Sequence, residues 1–471
     1  MIDRELEKKY LQYLPEDRAT VRDLCVLGAD GRRLAEEITE KYPDSTIWWM
    51  EDPDYFVADY ENRVDVLLFS ADVCASAGLP EIMRRWCAAL KQEGTALCIC
   101  DHERYTVLSF LNTCQMCGFA EVTPLDVPLY RMARPAEDPD FLPVSGQDLR
   151  PRFDRVYVLC PALYRSGGPE VLHQLVHCIN VLGGHADIAY VWTEDKEIYG
   201  NPDLIPYVAG HIVRAEDIVD AEGTAVVAPE IFVEYLAPLV RSEVFLWWLS
   251  ADNFAPTYPP ESLDMLWKFI RQCVPHNLYQ SVHAREFCIC NGVLPRTLSP
   301  LSDYISARYF EEDYLRITDR EDRVLYSPKR GIAFTEKLMK AAPELQWVPL
   351  QNMSAAQVQD LMCHSKVYID FGTHPGKDRM PREAAMCGCC VITGRQGSAA
   401  YSQDVGIPEE YRFFEEETET EEILRAIRGC LSDYDREKHR YDAYREAIRA
   451  EKQIFRKNVE RLFFTDCEEE R

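Results

Sequence analysis

The residues best suited to chemistry lie in segment 374–393, HPGKDRMPREAAMCGCCVIT. It combines three cations, Lys377, Arg379 and Arg382, with the carboxylate of Glu383 and a turn of small residues. Such cations can neutralise an anionic ligand, and the two oxygens of a carboxylate can accept both hydroxyls of a vicinal diol. The segment therefore predicts a site for an anionic ligand.

Two predicted strands flank this segment. The strand at 367–371 precedes it, which places it at the carboxyl edge of a sheet, where α/β proteins bind ligands. The strand at 390–393 follows it and leads into Gly397, Ser398 and Ala399, whose small side chains and backbone N–H groups suit an anion. A buried helix-turn-strand without a ligand is the alternative interpretation, and the crowding of cations in an acidic chain weighs against it.

Other loops carry residues of the same kinds. Lys329 and Arg330 lie in the turn YSPKRG after a predicted strand, where they could neutralise an anionic ligand or simply form a surface turn. Gly167 and Gly168 lie between a strand and a helix, and glycines let the backbone come close to a ligand. Asp252 follows a further strand, where it could contact a substrate or form an Asx turn.

Strands and helices that alternate along the chain must position these loops. Helices are predicted around 34–42, 82–90 and 172–182, and apolar strands at 24–27, 46–50, 64–69, 95–100, 156–160, 188–192, 225–227, 244–249, 323–327, 345–349, 367–371 and 390–393. This alternation predicts the α/β class, with three Rossmann-like units. We place the first at 1–134, a linker at 135–152, the second unit at 153–315 and the third, with terminal helices, at 316–471.

In their order along the chain, the segments from residue 153 onward resemble a GT-B glycosyltransferase of the retaining, nucleotide-sugar-dependent, group 1-like kind. Segment 374–393 resembles the donor-site motif of that family, with Glu383 in the place of the glutamate that grips the donor ribose. The family usually has a second glutamate eight positions earlier, where this chain has Pro375. The second and third units would then be the two halves of a GT-B fold.

This resemblance implies hexosyl transfer from a nucleotide-diphosphate sugar to a glycan, lipid-linked or other hydroxyl acceptor, as in polysaccharide biosynthesis. It implies retention of configuration without a metal, and catalytic roles for Asp252, His374 and Lys329. The donor-binding residues that it implies are Glu383, Arg330, Gly376, Lys377, Arg379, Gly397, Ser398, Ala399, Gly167 and Gly168.

The first unit resembles class I S-adenosylmethionine-dependent methyltransferases. Gly28 and Gly31 take the place of that family's glycine loop, and Glu51 takes the place of the carboxylate that holds the ribose. Leu27 and Ala29 stand where glycines are expected. We therefore favour a degenerate domain used for packing or partner recognition over one that binds S-adenosylmethionine at Gly28, Gly31 and Glu51.

Composition narrows the partners and the compartment. The formal charge of −27, from 79 acidic and 52 basic residues, repels nucleic acid and anionic lipid. Neither a signal peptide nor an apolar stretch of about 20 residues is recognisable, so we expect a cytoplasmic protein without a transmembrane segment. The 18 cysteines are then expected as reduced core thiols, for example alternating in strands at Cys98/Cys100 and Cys288/Cys290.

Three functions stay open from the sequence: a glycosyltransferase, a bifunctional methyltransferase and glycosyltransferase, and a catalytically silent nucleotide-sugar-binding scaffold. Two features suggest the silent scaffold: the proline at position 375 and the degenerate glycine loop of the first unit. His283 is expected to pack a helix. The aromatic residues expected either to stack on sugar rings or to fill the core are Tyr164, Trp247, Trp248 and Tyr258.

Overall fold

A computed structural model of the chain describes the following residues: 4–15, 21–27, 31–50, 63–70, 83, 86–99, 110, 114, 119–126, 129–133, 149–162, 167–191, 204–208, 211–310, 313–416 and 419–466. Within these ranges strands and helices alternate, and three sheets built mainly of parallel strands form the framework. The predicted α/β class with three Rossmann-like units is thereby confirmed.

The first sheet has six strands in the order β2-β1-β3-β4-β6-β5. Strands β1 to β4 are parallel, and β6 runs antiparallel between β4 and β5. The strands are β1 Asp23–Leu27, β2 Thr46–Met50, β3 Val64–Ser70, β4 Leu90–Ile99, β5 Ala120–Asp126 and β6 Leu129–Ala133, and the accompanying helices are α1 Arg4–Tyr13 and α2 Gly31–Lys41. Helix α2 buries Leu34 and Ile38 and ends just before Pro43, which disfavours helical geometry in the residue before it.

The second sheet has seven strands in the order β10-β9-β8-β11-β12-β13-β14. The strands are β8 Arg155–Pro161, β9 Ala186–Val191, β10 Ile212–Arg214, β11 Thr224–Pro229, β12 Glu243–Trp248, β13 His276–Tyr279 and β14 Leu298–Pro300. The helices among them are α3 Gly167–Val181, α4 Ile205–Val208, α5 Phe254–Thr257, α6 Leu263–Cys273 and α7 Val282–Cys290. Strands β9 and β11 are buried along their whole length, which explains their continuous apolar sequences.

The third sheet is parallel throughout, in the order β16-β15-β17-β18-β19. The strands are β15 Glu321–Tyr326, β16 Gln346–Pro349, β17 Ser365–Asp370, β18 Cys390–Gly394 and β19 Arg412–Phe413. The helices are α8 Ile332–Ala341, α9 Ala355–Cys363, α10 Arg379–Met386, α11 Thr420–Ser432, α12 Tyr434–Glu437 and α13 Asp442–Phe463. The order of the strands reverses between β15 and β17, and doubly wound sheets bind ligands at the carboxyl edge of such a switch point.

The chain divides into two compact units: Met1–Gln147 with Cys160–Arg165 and Leu172–Ile218, and Asp148–Leu159 with Ser166–Val171 and Val219–Arg471. All residues of the candidate site described below, from Gly167 to Glu451, belong to the second of these units. The three predicted domain boundaries remain predictions.

Several sequence expectations need correction. Leu149–Pro151, inside the predicted linker, forms strand β7 and pairs antiparallel with β20, Phe464–Asp466. Cys288 and Cys290 lie on helix α7 rather than in a strand, with Cys288 buried and Cys290 exposed. Trp247 and Trp248 are fully buried, so they pack in the core and do not offer a surface for sugar rings. Tyr258 is half-buried, whereas Tyr164 and Cys100 lie outside the described residues.

Candidate functional site

The carboxyl ends of β15 and β17 bring Arg330 and Asp370 together at the switch point of the third sheet. The Arg330 guanidinium donates to both oxygens of Asp370, with Nε–Oδ1 at 3.0 Å and Nη2–Oδ2 at 3.1 Å. Its Nη1 donates to Asp378 Oδ2 at 2.6 Å, and Asp378 is the N-cap residue of α10. Two carboxylates of the protein therefore neutralise the positive charge of Arg330, which the sequence led us to expect against an anionic ligand.

Glycine is required where these two loops meet. Gly331 caps the N-terminus of α8 with φ of 58°, in the left-handed region. A Cβ at this position would lie 2.1 Å from the carbonyl oxygen of Phe371. The N-terminus of α8 is thereby held directly against the end of β17. Lys329, next to it, is exposed, and none of the described residues forms an ion pair with it.

His374 completes the charge cluster but does not reach the surface. Its side chain is 0% exposed, with Nδ1 2.5 Å from Asp378 Oδ2 and Nε2 3.4 Å from the carbonyl oxygen of Asp370. Burial alone would lower the pKa of His374, but the charge of Asp370 and the contact with Asp378 outweigh it and raise this pKa. In this conformation His374 cannot touch a ligand, so its predicted catalytic role is corrected to that of a residue that holds the loop.

Gly376 allows the same loop to approach the end of β12. A Cβ on Gly376 would lie 2.0 Å from the Leu249 carbonyl oxygen, and the residue forms a single antiparallel β-bridge with Ser250. On the other side of the loop, His374 forms a parallel bridge with Gly397, whose φ is 60°. The loop is thus clamped between two backbone segments.

The predicted anion loop after β18 is largely used for this clamp. The Ser398 N–H donates to His374 O at 2.8 Å, and its hydroxyl donates to Gly376 O at 2.6 Å. The Ala399 carbonyl accepts from Arg412 Nη2 at 2.6 Å, and both Ser398 and Ala399 are fully buried. The expectation that Ser398 offers its N–H to an anion is therefore wrong for this conformation.

The three cations of the motif are each paired with carboxylates of the protein. Arg382 is 0% exposed and donates to both oxygens of Asp303, at 2.9 and 2.7 Å, and to Glu451 Oε2 at 2.7 Å. Lys377 Nζ lies 2.7 Å from Glu451 Oε1 and donates to Ser302 Oγ at 3.1 Å. These contacts fasten the start of α10 to α13 and to the segment that precedes β15.

Arg379 turns the other way, towards helix α3. It forms an ion pair with Glu170 in the first turn of α3 and donates to Tyr304 O at 2.9 Å. A Cβ on Gly167 would lie 3.1 Å from Arg379 Cδ, whereas a Cβ on Gly168 would have no atom within 4 Å. Gly167 therefore leaves room for the Arg379 side chain. Of the two predicted glycines, Gly168 is the one with open space beside its Cα.

Glu383, on α10, is partly exposed. Burial raises its pKa, the charge of Arg379 opposes this, and the Tyr309 hydroxyl is its hydrogen-bond partner. Phenol and guanidinium thus orient this carboxylate. Glu383 is the one carboxylate among the predicted donor residues.

Asp252 pairs with a residue that the sequence analysis assigned to packing. His283 Nε2 lies 3.0 Å from Asp252 Oδ1, and both side chains are only partly buried. His283 stands at the start of α7, whose first N–H groups donate to Asp404 at 2.8 and 3.0 Å. A carboxylate that fixes an imidazole in this way can set its tautomer and its direction.

Two functional candidates were missed from the sequence. His283 follows Ser281, and a serine before an apolar run is a signal for a helix start, which would have placed this histidine at a helix N-terminus. Glu415 belongs to an acidic run that looks like a solvated helix entrance. Its Oε1 nevertheless accepts the Gly372 N–H at 2.6 Å, at the carboxyl end of β17. No local signal marks that contact.

The predicted cofactor loop of the first unit is described only in part. Gly28 and Glu51 lie outside the described residues. Gly31 begins α2, and a Cβ there would lie 2.8 Å from Val26 Cγ1 and 3.0 Å from Trp49 Cδ1. Gly31 is therefore required for the close packing of α2 against β1 and β2.

No protein-family model matches the chain, and no curated protein does. Many solved structures are similar to part of it, among them the following three. HepE of Anabaena in complex with UDP-glucose aligns with a TM-score of 0.48 and 12% identity, over 65% of this chain and 97% of HepE. The sucrose-phosphate synthase of Thermosynechococcus elongatus aligns with a TM-score of 0.43 and 13% identity, over 66% and 95% of the two chains.

The third structure is an α-glucosyltransferase (AGT) in complex with UDP, with a TM-score of 0.40 and 9% identity, over 61% of this chain and 94% of that one. Because all three TM-scores are below 0.5, the function of this chain has to be inferred from its own residues. None of the helices in the described ranges combines the length and the apolar character that crossing a membrane requires.

Proposed function

We propose that this protein is a glycosyltransferase of the GT-B kind, which moves a sugar from a nucleotide-diphosphate donor to a hydroxyl acceptor. One observation carries the proposal: two helix N-termini meet at the switch point of the third sheet, next to an exposed lysine. Arg330, just before α8, contacts Asp378, the N-cap of α10, at 2.6 Å, and Lys329 lies beside them. Helix N-termini attract anions through free N–H groups and the helix dipole.

Glu383 supplies the second feature that a nucleotide needs. It lies on α10, is partly exposed, and is oriented by Tyr309. A carboxylate can accept both hydroxyls of a ribose. We propose that Glu383 binds the donor ribose while Lys329 and the N-terminus of α8 stabilise the negative charge that develops on the leaving diphosphate.

The Asp252–His283 pair supplies the third feature. We propose that His283 contacts the transferred sugar and that Asp252 orients it, since their 3.0 Å contact leaves one imidazole nitrogen for a substrate. The bond that breaks joins the anomeric carbon to the phosphate oxygen, and the bond that forms joins that carbon to the acceptor oxygen. Retention of configuration, independence of metals, and a glycan or lipid-linked acceptor are parts of the same proposal.

The first test is a binding screen. Ligands that bind the native state raise its melting temperature, so UDP, GDP, ADP and CDP and their hexose conjugates would be compared by thermal shift. We expect one nucleotide family to stabilise the protein. Glu383→Gln should abolish the shift, and the matched control Glu416→Gln, at an exposed glutamate, should keep it. An equal shift in both variants would disprove the assignment of Glu383.

The second test is donor turnover. We expect slow hydrolysis of the bound sugar nucleotide, unchanged by EDTA, and its loss in His283→Asn with nucleotide affinity retained. The anomeric configuration of the released sugar, followed by NMR immediately after turnover, tests retention.

A catalytically silent nucleotide-sugar-binding protein is the second candidate, because one observation favours it. All three motif cations, Lys377, Arg379 and Arg382, are paired with carboxylates of the protein itself. This candidate predicts a stabilising nucleotide without turnover of any donor. The two candidates therefore separate in the hydrolysis assay and agree in the thermal-shift screen.

The methyltransferase-like first unit supports a bifunctional enzyme at one point. The glycine requirement at Gly31, at the first turn from strand to helix, is typical of dinucleotide-type sites in which a glycine permits close packing of the helix. Calorimetric titration with S-adenosylmethionine tests it. Saturable binding would establish the second activity, and absence of heat would leave the first unit a packing or partner domain.

We also propose a cytoplasmic location. The described cysteines, 14 of the 18, are free thiols and most are buried. Proteins exposed to an oxidising compartment tend to use such residues in disulfides.

A further inference from the structure

Glu230 is a buried carboxylate that lies outside the predicted site. It follows β11 directly and begins a short 3₁₀ segment, Glu230–Leu236. Only 2% of its surface is exposed, and none of the described lysines, arginines or histidines forms an ion pair with it. A buried acid without a cation is costly unless its oxygens accept hydrogen bonds.

Backbone N–H groups supply those hydrogen bonds, one of them from Glu230 itself. Leu249 N donates to Glu230 Oε2 at 2.9 Å, and the Ser250 N–H also donates to this carboxylate. Leu249 and Ser250 belong to the turn that ends β12, and the Leu249 N–H also donates to the Trp247 carbonyl oxygen at 3.1 Å. Glu230 therefore holds this turn from a second side.

The same turn contacts both parts of the candidate site. Ser250 forms the β-bridge with Gly376, and the Leu249 carbonyl is the atom that excludes a Cβ there. The Ser250 carbonyl accepts the Asn253 N–H at 2.8 Å, which closes the single turn that carries Asp252 towards His283. A shift of Leu249 and Ser250 would move the loop and the pair together.

We propose that Glu230 is a positioning residue of the transferase site: its carboxylate holds the Leu249–Ser250 turn, and through it the Asp252–His283 pair and the Gly376 loop. That Glu230 affects catalysis rests on the proposed function. That Glu230 holds the turn rests on the backbone contacts alone.

The protonation state of Glu230 gives the inference a distinctive readout. Burial raises the pKa of Glu230 to about 7, although the N–H groups of Leu249 and Ser250 lower it. The titratable groups that respond to it are Cys288 on α7 and the Tyr258 hydroxyl, which also contacts Glu234, and burial raises the pKa of both the thiol and the phenol. Near neutral pH, Glu230 is therefore the member of this group that changes its charge.

Ionisation of Glu230 lowers the stability of the fold but strengthens its hold on the turn. An acid whose pKa is raised by folding contributes stability below its unfolded value near 4.5, and this is lost as pH rises through about 7. Above pH 7 the ionised carboxylate costs stability, yet it is then the stronger acceptor for the two N–H groups. We therefore expect kcat to fall as pH drops below about 7 while stability does not fall with it.

Two variants test this with a matched control. Glu230→Gln keeps shape and an acceptor but does not titrate, so the acidic limb of kcat near pH 7 should disappear. Glu230→Met removes both acceptors, and we expect kcat to fall about 100-fold at every pH with nucleotide affinity within about twofold of wild type. Glu234→Gln, on the same 3₁₀ segment but bonded to Tyr258, should leave kcat and its pH dependence unchanged.

Hydrogen–deuterium exchange of residues 249–253 keeps the structural part separate. We expect faster exchange there in Glu230→Met and not in Glu234→Gln. Wild-type exchange together with wild-type kcat in Glu230→Met would overturn the inference. If wild-type protein turns over no donor, the proposed function is wrong, and the exchange result alone then decides whether Glu230 holds the turn.

Discussion

Replacing Gly376 by alanine adds one methyl group at the tightest contact of the candidate site. The new Cβ would lie 2.0 Å from the Leu249 carbonyl oxygen and 3.1 Å from Ser250 Oγ. Cβ atoms in proteins essentially never come closer than 3.0 Å to such a neighbour, so the backbone on one side must withdraw by the difference, about 1 Å. The Leu249 carbonyl cannot rotate away cheaply, because the N–H groups of this turn are held by Glu230.

The expected magnitude follows from that displacement. Overpacking of a well-packed contact costs about 1–3 kcal/mol of stability. A misplacement of about 1 Å at a reacting site lowers turnover by about 100-fold, which corresponds to about 2.7 kcal/mol of transition-state stabilisation. We therefore expect Gly376→Ala to fold, to melt at a lower temperature, and to lose most of its donor turnover.

The matched control is Gly429→Ala. Gly429 lies inside helix α11, where a Cβ would have no atom within 4 Å. Alanine is favoured over glycine in a helix interior by about 0.5–1 kcal/mol, so this variant should be slightly more stable and fully active. Both variants would be compared by urea unfolding and by donor hydrolysis. Wild-type stability and turnover in Gly376→Ala would refute the close approach of this loop to the end of β12.

Three further predictions concern charge. Arg382→Met removes the cation that Asp303 and Glu451 share, although Lys377 still contacts Glu451, and should lower the free energy of unfolding by about 3–5 kcal/mol, measured by urea titration. Folding raises the pKa of His374, so the stability that its protonated form contributes is complete below about pH 6.5 and declines as pH rises through its folded pKa. His374→Gln should therefore lose more stability at acidic than at alkaline pH. An equal loss at both would contradict the pairing of His374 with Asp378. Lys329→Ala should weaken nucleotide binding by about tenfold without changing the melting temperature, because Lys329 is exposed, whereas Lys340→Ala at the other end of α8 should leave affinity unchanged.

Much of the framework was predictable because parallel strands are buried on both faces and appear as continuous apolar runs. The strand at 46–50 was predicted with the bounds that the structure has, and those at 390–393 and 345–349 within one residue. The antiparallel pair β7–β20 was not predictable in this way. Each of its strands has three residues, and they lie more than 300 positions apart, so neither sequence carries a period or a turn signal.

Helix α7 shows a different kind of error. Its second half, FCIC, is a short apolar run with β-branched and aromatic members, and such runs fit a strand and a buried helix equally well. The deciding residue is Ser281, whose hydroxyl accepts the Ala284 N–H at 3.1 Å. A serine before the run favours a helix start, and giving it weight would have corrected the cysteine pattern.

The cluster of cations was predictable from the sequence, but its partners were not. A sequence shows that Lys377, Arg379 and Arg382 are close together, and it shows an excess of acid elsewhere in the chain. It does not show that Asp303 and Glu451, at separations of 79 and 69 residues from Arg382, converge on this cluster. Cations that bind a ligand and cations that bind the protein itself look the same until those partners are known.

This pairing changes how an anionic ligand can be held. Arg330 and His374 face Asp370 and Asp378 at the switch point, so this buried group presents no net positive charge whether or not His374 is protonated. Under the proposed function, attraction for a diphosphate would then come from Lys329 and from the backbone N–H groups at the N-terminus of α8, which are fixed dipoles rather than mobile ions. The chain has a formal charge of −27, so its carboxylates repel anions at a distance. A site built from oriented backbone dipoles attracts an anion only over a short range. Such a site therefore selects anions by their shape, because only an anion that reaches the end of the helix gains the attraction of its N–H groups.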